Sequence, residues 1–362
     1  MVRRNAEHTR NKGSNTTKPH RILATGPVPS LAREVLGPFA SIEVAGSTDE
    51  SSLMSLAQGA IGLIVRGVIP ISRRLIEAGK DLRVIGRTGA GYDNVDIHAA
   101  TEHGIPVVFA PGAGTRAVAE GTLLMLLALT KRLRELDHKT RAGEWRARDE
   151  VAIGDLCGAT LGIIGLGRIG SQVGRLAQAF GMNVVACDPA VTEDVAGAMG
   201  FKLVSFDTLL GCSDFISLHA PLNEHTRELV SADRLRSVKK GTILVNLARG
   251  GLLAGLDVLY EALETGRLAG LGLDVYPNEP PDVSHPIFRR ADVLFTPHCM
   301  GLSSRAADAT FSMVSEGMAD VFRGRIPVNV VNPQVFSAAN SRLHGVVNNV
   351  DGRSSRPPKA EF

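Results

Sequence analysis

Thr160-Leu-Gly-Ile-Ile-Gly-Leu-Gly-Arg-Ile-Gly170 decides how the rest of the chain reads. Leu161 to Ile164 is a short apolar run of the kind that forms a buried parallel strand. It leads into Gly165-x-Gly167-x-x-Gly170, after which Val173, Leu176, Ala177 and Phe180 fall at helical spacing. Strand, glycine turn and helix start are the context a dinucleotide fingerprint requires. Gly165 makes the tight turn, Gly167 lets the backbone approach a pyrophosphate, and Gly170 lets helix and strand pack closely. The phosphates then meet unpaired N–H groups and the positive end of the helix dipole. A second strand, Asn183-Val-Val-Ala-Cys187, ends at Asp188, eighteen positions after Gly170. That is close to the ~20 expected of the acid that accepts from ribose hydroxyls. Its charge would repel the extra phosphate of NADP, so NAD is the expected cofactor. The plainer alternative is an ordinary βαβ turn with Asp188 as a helix cap.

Composition sets the frame. The chain has 362 residues, which allows one or two domains with a large core. With 39 glycines and 44% hydrophobic residues it fits a globular α/β enzyme. A net charge of +3 makes no case for nucleic acid as a partner. Cys157, Cys187, Cys212 and Cys299 show neither metal-ligand spacing nor a paired framework. They read as reduced thiols in a cytoplasmic protein, with no metal site. The longest apolar block, Leu123 to Leu129, falls well short of the ~20 residues of a membrane span.

Outward from the fingerprint, strands alternate with helices. Before it, strand candidates are Ile22-Leu-Ala24, Ile42-Glu-Val44, Gly62-Leu-Ile-Val65, Arg83-Val-Ile-Gly86 and Pro106-Val-Val-Phe109. After it come Phe215-Ile-Ser-Leu218, Thr242-Ile-Leu-Val245, Ala269-Gly-Leu-Gly-Leu273 and Val293-Leu-Phe-Thr296. This order predicts an α/β protein with two doubly wound parallel-sheet lobes, a Rossmann NAD-binding domain inserted in a flavodoxin-like substrate domain. One long helix is expected over Ala117 to Ala142, joining the lobes and offering a subunit interface. A final helix, Arg305 to Phe322, is expected to return to the first lobe. The expected domains are residues 20–112 with 299–333 for substrate and 113–298 for NAD. Residues 1–19, polar and basic, and 334–362 read as disordered tails.

A nicotinamide cofactor supplies the hydride, and the protein must bind, orient and move a proton. Arg249, in Asn246-Leu-Ala-Arg-Gly-Gly251, follows a strand and so faces the expected crevice. Its guanidinium can fork onto a carboxylate and polarise a neighbouring carbonyl. Asp274 and Glu279 follow another strand, and His298 a third. A histidine with a carboxylate to hold its tautomer is an acid/base pair. Each residue alone has a dull explanation, a surface cation, a loop charge or a satisfied histidine; together they fall at the carboxyl ends of one sheet. His219 is a rival acid/base at a strand end, with the role of a crevice-lining residue preferred.

These stretches together resemble the D-isomer-specific 2-hydroxyacid dehydrogenases, a family that includes phosphoglycerate dehydrogenase, hydroxypyruvate reductase, glyoxylate reductase and formate dehydrogenase. The resemblance runs from about Arg21 to Pro333. It implies NAD-dependent interconversion of a D-2-hydroxy acid and its 2-keto acid, with 3-phosphoglycerate, hydroxypyruvate/glycerate or glyoxylate-type substrates. It implies that Arg249 binds the substrate carboxylate and keto oxygen, that His298 gives and takes the proton, and that Glu279 supports it. It also implies that Asp274 holds the nicotinamide carboxamide, that Arg168 and Ile169 line the pyrophosphate, and that Leu247 and Ala248 flank the nicotinamide. In the first lobe it assigns Ala90 and Gly91 to a substrate loop and Arg66 to substrate contact. A homodimer is expected. The chain departs from the family at Leu252-Leu-Ala-Gly-Leu-Asp257, where an acidic helix cap is missing, and at Cys299-Met300-Gly301, after the histidine. A dehydrogenase-like NAD(H)-sensing corepressor, which keeps the same trio, is the alternative from another class.

Overall fold

The computed structural model describes residues 20–337. The tail expected at 1–19, and residues 338–362 of the one expected at 334–362, lie outside the described residues. Two wholly parallel sheets organise the rest. The first contains β1 (Arg21–Ala24), β2 (Ser41–Val44), β3 (Ala60–Val65), β4 (Val84–Arg87) and β5 (Val107–Val108), in the order β2-β1-β3-β4-β5. The second contains β6 (Thr160–Ile164), β7 (Asn183–Cys187), β8 (Lys202–Leu203), β9 (Phe215–Leu218), β10 (Thr242–Asn246), β11 (Leu268–Leu273) and β12 (Val293–Phe295), in the order β12-β11-β10-β9-β6-β7-β8. Counted within each sheet, these are the flavodoxin-like and Rossmann orders, and each has a switch point where ligands bind.

The apolar runs form strands because both faces of each sheet are covered. Along β1, Leu23 enters one core while Ile22 and Ala24 enter the other. Along β6, Leu161 and Ile163 face one core and Ile164 the opposite one. This is the period of two that places alternate side chains on opposite faces. Every residue of the central strand β3 is buried.

The helix Ser304–Phe322 packs Val314 and Met318 into the same core as Ile22, Val84 and Val108. The chain therefore returns to the first sheet after completing the second. It stays there: Val330 bridges Val108 antiparallel, and buried Asn332 accepts from the Val107 N–H (2.8 Å) and donates to the Ile105 carbonyl (3.0 Å). Asn332 thus satisfies backbone groups on the open edge of β5. A short turn, Pro333–Phe336, buries Val335, so ordered chain continues past the boundary expected at 333.

The long helix differs from expectation. It is two helices, Thr115–Thr130 and Leu133–Arg141, separated by Arg132 in a left-handed conformation (φ 49°). The cause is local. The Thr130 carbonyl accepts from Gly154 N–H (2.9 Å), and Lys131 Nζ donates to the Gly154 carbonyl (2.7 Å). A carbonyl engaged sideways cannot continue the helical ladder. β8 was not anticipated; two residues carry too little periodicity to register.

Candidate active site

β6 runs into a turn at Gly165 (φ 95°), whose N–H donates to the Cys187 carbonyl at 3.0 Å. A β-carbon on Gly170 would collide with the Gly165 carbonyl, so the helix start can lie this close to the strand only without a side chain. At Gly167, by contrast, an added β-carbon meets nothing within 4 Å. Gly167 caps the helix Arg168–Ala179 with no side-chain hydrogen bond, which leaves its first N–H groups open to a ligand. Asp188, just beyond β7, accepts from Leu166 N–H (2.7 Å) and Ala190 N–H (2.8 Å), one on each oxygen. Each carboxylate oxygen keeps a second lone pair for a hydroxyl. An open glycine, an uncapped helix and an oriented carboxylate fit a dinucleotide. Arg168 is exposed at the helix start and Ile169 is half-buried behind it.

The end of β10 carries Arg249. Buried Asn246 accepts from Ala248 N–H (3.0 Å) and donates to the Arg249 carbonyl (2.9 Å), which fixes the turn through Leu247 and Ala248. Leu247 is buried and Ala248 half-buried. A β-carbon on Gly250 would collide with the Tyr276 carbonyl, so this turn lies directly against the loop bearing Glu279. The guanidinium donates through Nη1 to the Ala248 carbonyl (2.7 Å) and through Nε to Asp93 (2.8 Å). The helix after this turn, Leu256–Glu264, starts at Gly255 without a side-chain cap, in line with the missing acidic residue.

His298 and Glu279 form a direct pair. Nδ1 of His298 lies 2.8 Å from Oε2 of Glu279, while Oε1 accepts from Tyr276 N–H at 3.1 Å. Burial by itself would raise the Glu279 pKa. The His298 bond, the Tyr276 N–H and the charges of His298 and Arg249 outweigh it and hold the carboxyl below the usual glutamate range. Arg249, Glu279 and His298 therefore share one electrostatic neighbourhood. His298 has φ 52°, rare for a residue with a side chain and common at functional sites. Asp274, buried, holds the turn on either side of it: Oδ1 accepts from Thr296 Oγ1 (2.6 Å) and Cys299 N–H (2.9 Å), and Oδ2 from Met300 N–H (3.2 Å). The Tyr276 hydroxyl, its pKa pushed up to about 12 chiefly by burial, donates to the Thr296 carbonyl at 2.9 Å.

The first lobe contributes the loop after β4. Ala90 is exposed and Gly91 half-buried. A β-carbon on Gly91 would collide with Nη2 of Arg249, so the loop and the arginine of the other lobe touch. Sequence reasoning passed over Arg87, the last residue of β4. It is buried, with Nε donating to Asn94 Oδ1 (3.1 Å) and Nη1 to the Thr88 carbonyl (2.6 Å). Burial, then the charge of Arg249, lowers its pKa to about 10 against the opposing pull of Asp93. Asp93 was missed too. The signal for both was the flanking of a glycine loop by charges of opposite sign. Arg66 stands at the end of β3, but its guanidinium donates to the Pro27 carbonyl and covers the Phe311 ring at 5.3 Å.

His219, the rival acid/base, stands half-buried just beyond β9. Its Nε2 pairs with Ser217 Oγ (2.7 Å), its buried Nδ1 has no partner among the described residues, and burial pushes its pKa down to about 3. That burial disfavours the charged imidazolium. A cavity of about 790 Å³ lies at the opposite, amino-terminal edge of the second sheet, lined by Phe215, Ile243, Leu294 and Arg134, remote from these groups. Among the described residues no cluster of three or more His, Cys, Asp or Glu could hold a metal ion, and no helix is long and apolar enough to cross a membrane.

Residues 123–300 fit the profile of the D-isomer specific 2-hydroxyacid dehydrogenase NAD binding domain. A glyoxylate reductase of Korarchaeum cryptofilum is 38% identical over 269 residues, covering 74% of this chain and 81% of that one. The chain belongs to the D-isomer specific 2-hydroxyacid dehydrogenase family and carries its NAD binding domain. A D-3-phosphoglycerate dehydrogenase of Methanocaldococcus jannaschii is 40% identical over 313 residues, covering 86% of this chain and 59% of that one. The chain spans little more than half the length of the phosphoglycerate dehydrogenases it matches first. Among solved structures, a D-lactate dehydrogenase from Aquifex aeolicus, complexed with NAD and lactic acid, superposes with a TM-score of 0.78 at 27% identity, covering 86% of this chain and 99% of that one.

Proposed function

We propose that the chain is an NAD-dependent oxidoreductase interconverting a D-2-hydroxy acid and its 2-keto acid, with a 3-phosphoglycerate, hydroxypyruvate/glycerate or glyoxylate-type substrate. The observation that carries this is the 2.8 Å pair of His298 with a Glu279 held ionised, beside a guanidinium from the neighbouring strand. When bound, the nicotinamide supplies or accepts the hydride. Arg249 takes the substrate carboxylate and polarises the keto oxygen, using Nη2, which has no partner among the described residues. Glu279 occupies Nδ1 of His298 and so leaves Nε2 as the nitrogen that protonates the new alkoxide, and deprotonates the alcohol in reverse. The N–H groups of the loop at Ala90 and Gly91 receive the carboxylate from the other side.

In this reading residues 113–298 form the cofactor domain and 20–112 with 299–333 the substrate domain. Asp274 serves the cofactor only with the capacity left after its bonds to the His298 turn. Arg66 reaches substrate only by leaving Pro27 and Phe311. A homodimer is supported by a run of exposed apolar residues, Leu124, Leu133, Trp145 and Ile153, along the helix Thr115–Thr130 and the segment after it. Four free thiols fit a reducing compartment such as the cytoplasm. NADH oxidation with phosphohydroxypyruvate, hydroxypyruvate, glyoxylate and pyruvate tests the proposal. Turnover of at least one is expected; NADH binding with turnover of none would overturn it in favour of a sensing protein.

A further inference from the structure

We propose that Asp93 is a positioning residue for the reaction, acting through Arg249 by an ion pair that crosses the cleft; this rests on the reading of Arg249 as the substrate's guanidinium. Asp93 belongs to the first lobe and Arg249 to the second, yet Oδ1 of Asp93 lies 2.8 Å from Nε of Arg249. The loop that delivers Asp93 is braced on both sides. Asn94, its neighbour, accepts from Arg87 and donates to the Ile69 carbonyl (2.7 Å). Tyr92 packs edge-on against Phe109, with ring centroids 5.6 Å apart, and Val95 bridges Ile71. A carboxylate on so fixed a loop selects one orientation of a long, flexible side chain.

Two things follow for Arg249. With Nε held by Asp93 and Nη1 by the Ala248 carbonyl, the remaining donor edge at Nη2 is aimed over Gly91. Arg87 is a second guanidinium close enough for each charge to oppose the other, and it has no carboxylate within ion-pair distance among the described residues. Asp93 offsets that repulsion. Without it, two like charges would face each other under the substrate loop, and Arg249 would turn away from the reacting carbonyl. A misplacement of about 1 Å at such a group costs on the order of a hundredfold in rate.

The test compares the full-length wild type with Asp93→Asn, Asp93→Glu, Arg249→Gln and the double variant Asp93→Asn/Arg249→Gln. Four quantities are read: kcat, KM for a 2-keto acid the wild type reduces, NADH affinity by fluorescence, and affinity of the NADH complex for oxamate, an unreactive 2-keto acid mimic. Asp93→Asn should lower kcat by about ten- to a hundredfold with NADH affinity unchanged, and Asp93→Glu should restore part of it. In the Arg249→Gln background, adding Asp93→Asn should leave oxamate affinity within about twofold. The proposal is overturned by an Asp93→Asn enzyme with kcat and oxamate affinity within about threefold of wild type. It is overturned equally if the substitution weakens oxamate as much without Arg249 as with it, or if it abolishes NADH binding. A wild type that reduces no 2-keto acid defeats the proposed function instead, and the oxamate measurements still decide the Asp93–Arg249 link.

Discussion

Two glycine loops face the same cleft and differ in what stands before them. In the second lobe, Gly167 looks onto open space. In the first, Gly91 looks onto Nη2 of Arg249, a side chain from the other lobe. The nucleotide loop is completed within one lobe, its turn anchored by the Cys187 carbonyl and by Asp188 of the adjacent strand's end. The loop proposed for substrate, at Ala90 and Gly91, is met by Arg249 from the end of a distant strand. Generic binding and particular chemistry are thus divided between a loop completed inside one lobe and one built by both.

The largest expected effect lies on the joint side. His298→Asn should lower kcat by about 10²- to 10⁴-fold, the range of a lost general acid/base, while NADH fluorescence titration stays as in the wild type. Parallel loss of NADH binding would move His298 to the cofactor's side of the comparison. Gly91→Ala should cost about a hundredfold in kcat/KM, because Arg249 must shift, again without change in NADH affinity. Gly167→Ala should behave in the opposite way. Its methyl meets no protein atom, so the thermal midpoint without cofactor should be unaltered. An overpacking penalty of about 1–3 kcal/mol would fall on the bound complex instead, weakening NADH by about five- to 150-fold. If both alanine variants behave alike, the contrast between the loops is broken.

The smallest effect concerns pH. The folded pKa of Glu279 lies below its ordinary 4.5. Its contribution to stability is therefore complete above that ordinary value and is lost as pH falls through the lower, folded one. The thermal midpoint of Glu279→Gln should trail the wild type at neutral pH, and the gap should close in acid. A gap that widens in acid would reverse the sign assigned to this pair.

Most strands were legible because buried parallel strands are continuous apolar runs; β7, Asn183–Cys187, and β9, Phe215–Leu218, fall where the sequence places them. The residues at the carboxyl ends of β10, β11 and β12 were legible as well, since sheet order alone gathers Arg249, Glu279 and His298. The break at Arg132 was hidden because Gly154, more than twenty residues away, takes the Thr130 carbonyl. Arg87 and Asp93 were hidden for a like reason. Their importance comes from Arg249, which is distant in sequence and near only once both sheets have formed. Arg66 shows the converse: a well-placed strand end whose side chain found other company in Pro27 and Phe311.

The return of the helix Ser304–Phe322 to the first sheet has a consequence in time. During synthesis the strands β1 to β5 leave the ribosome before the second sheet, yet the core on one of their faces lacks Val314 and Met318 until more than two hundred further residues have been added. The nucleotide-holding half can close on its own contacts meanwhile. One wall of the cleft therefore receives its second core only after the other has been made.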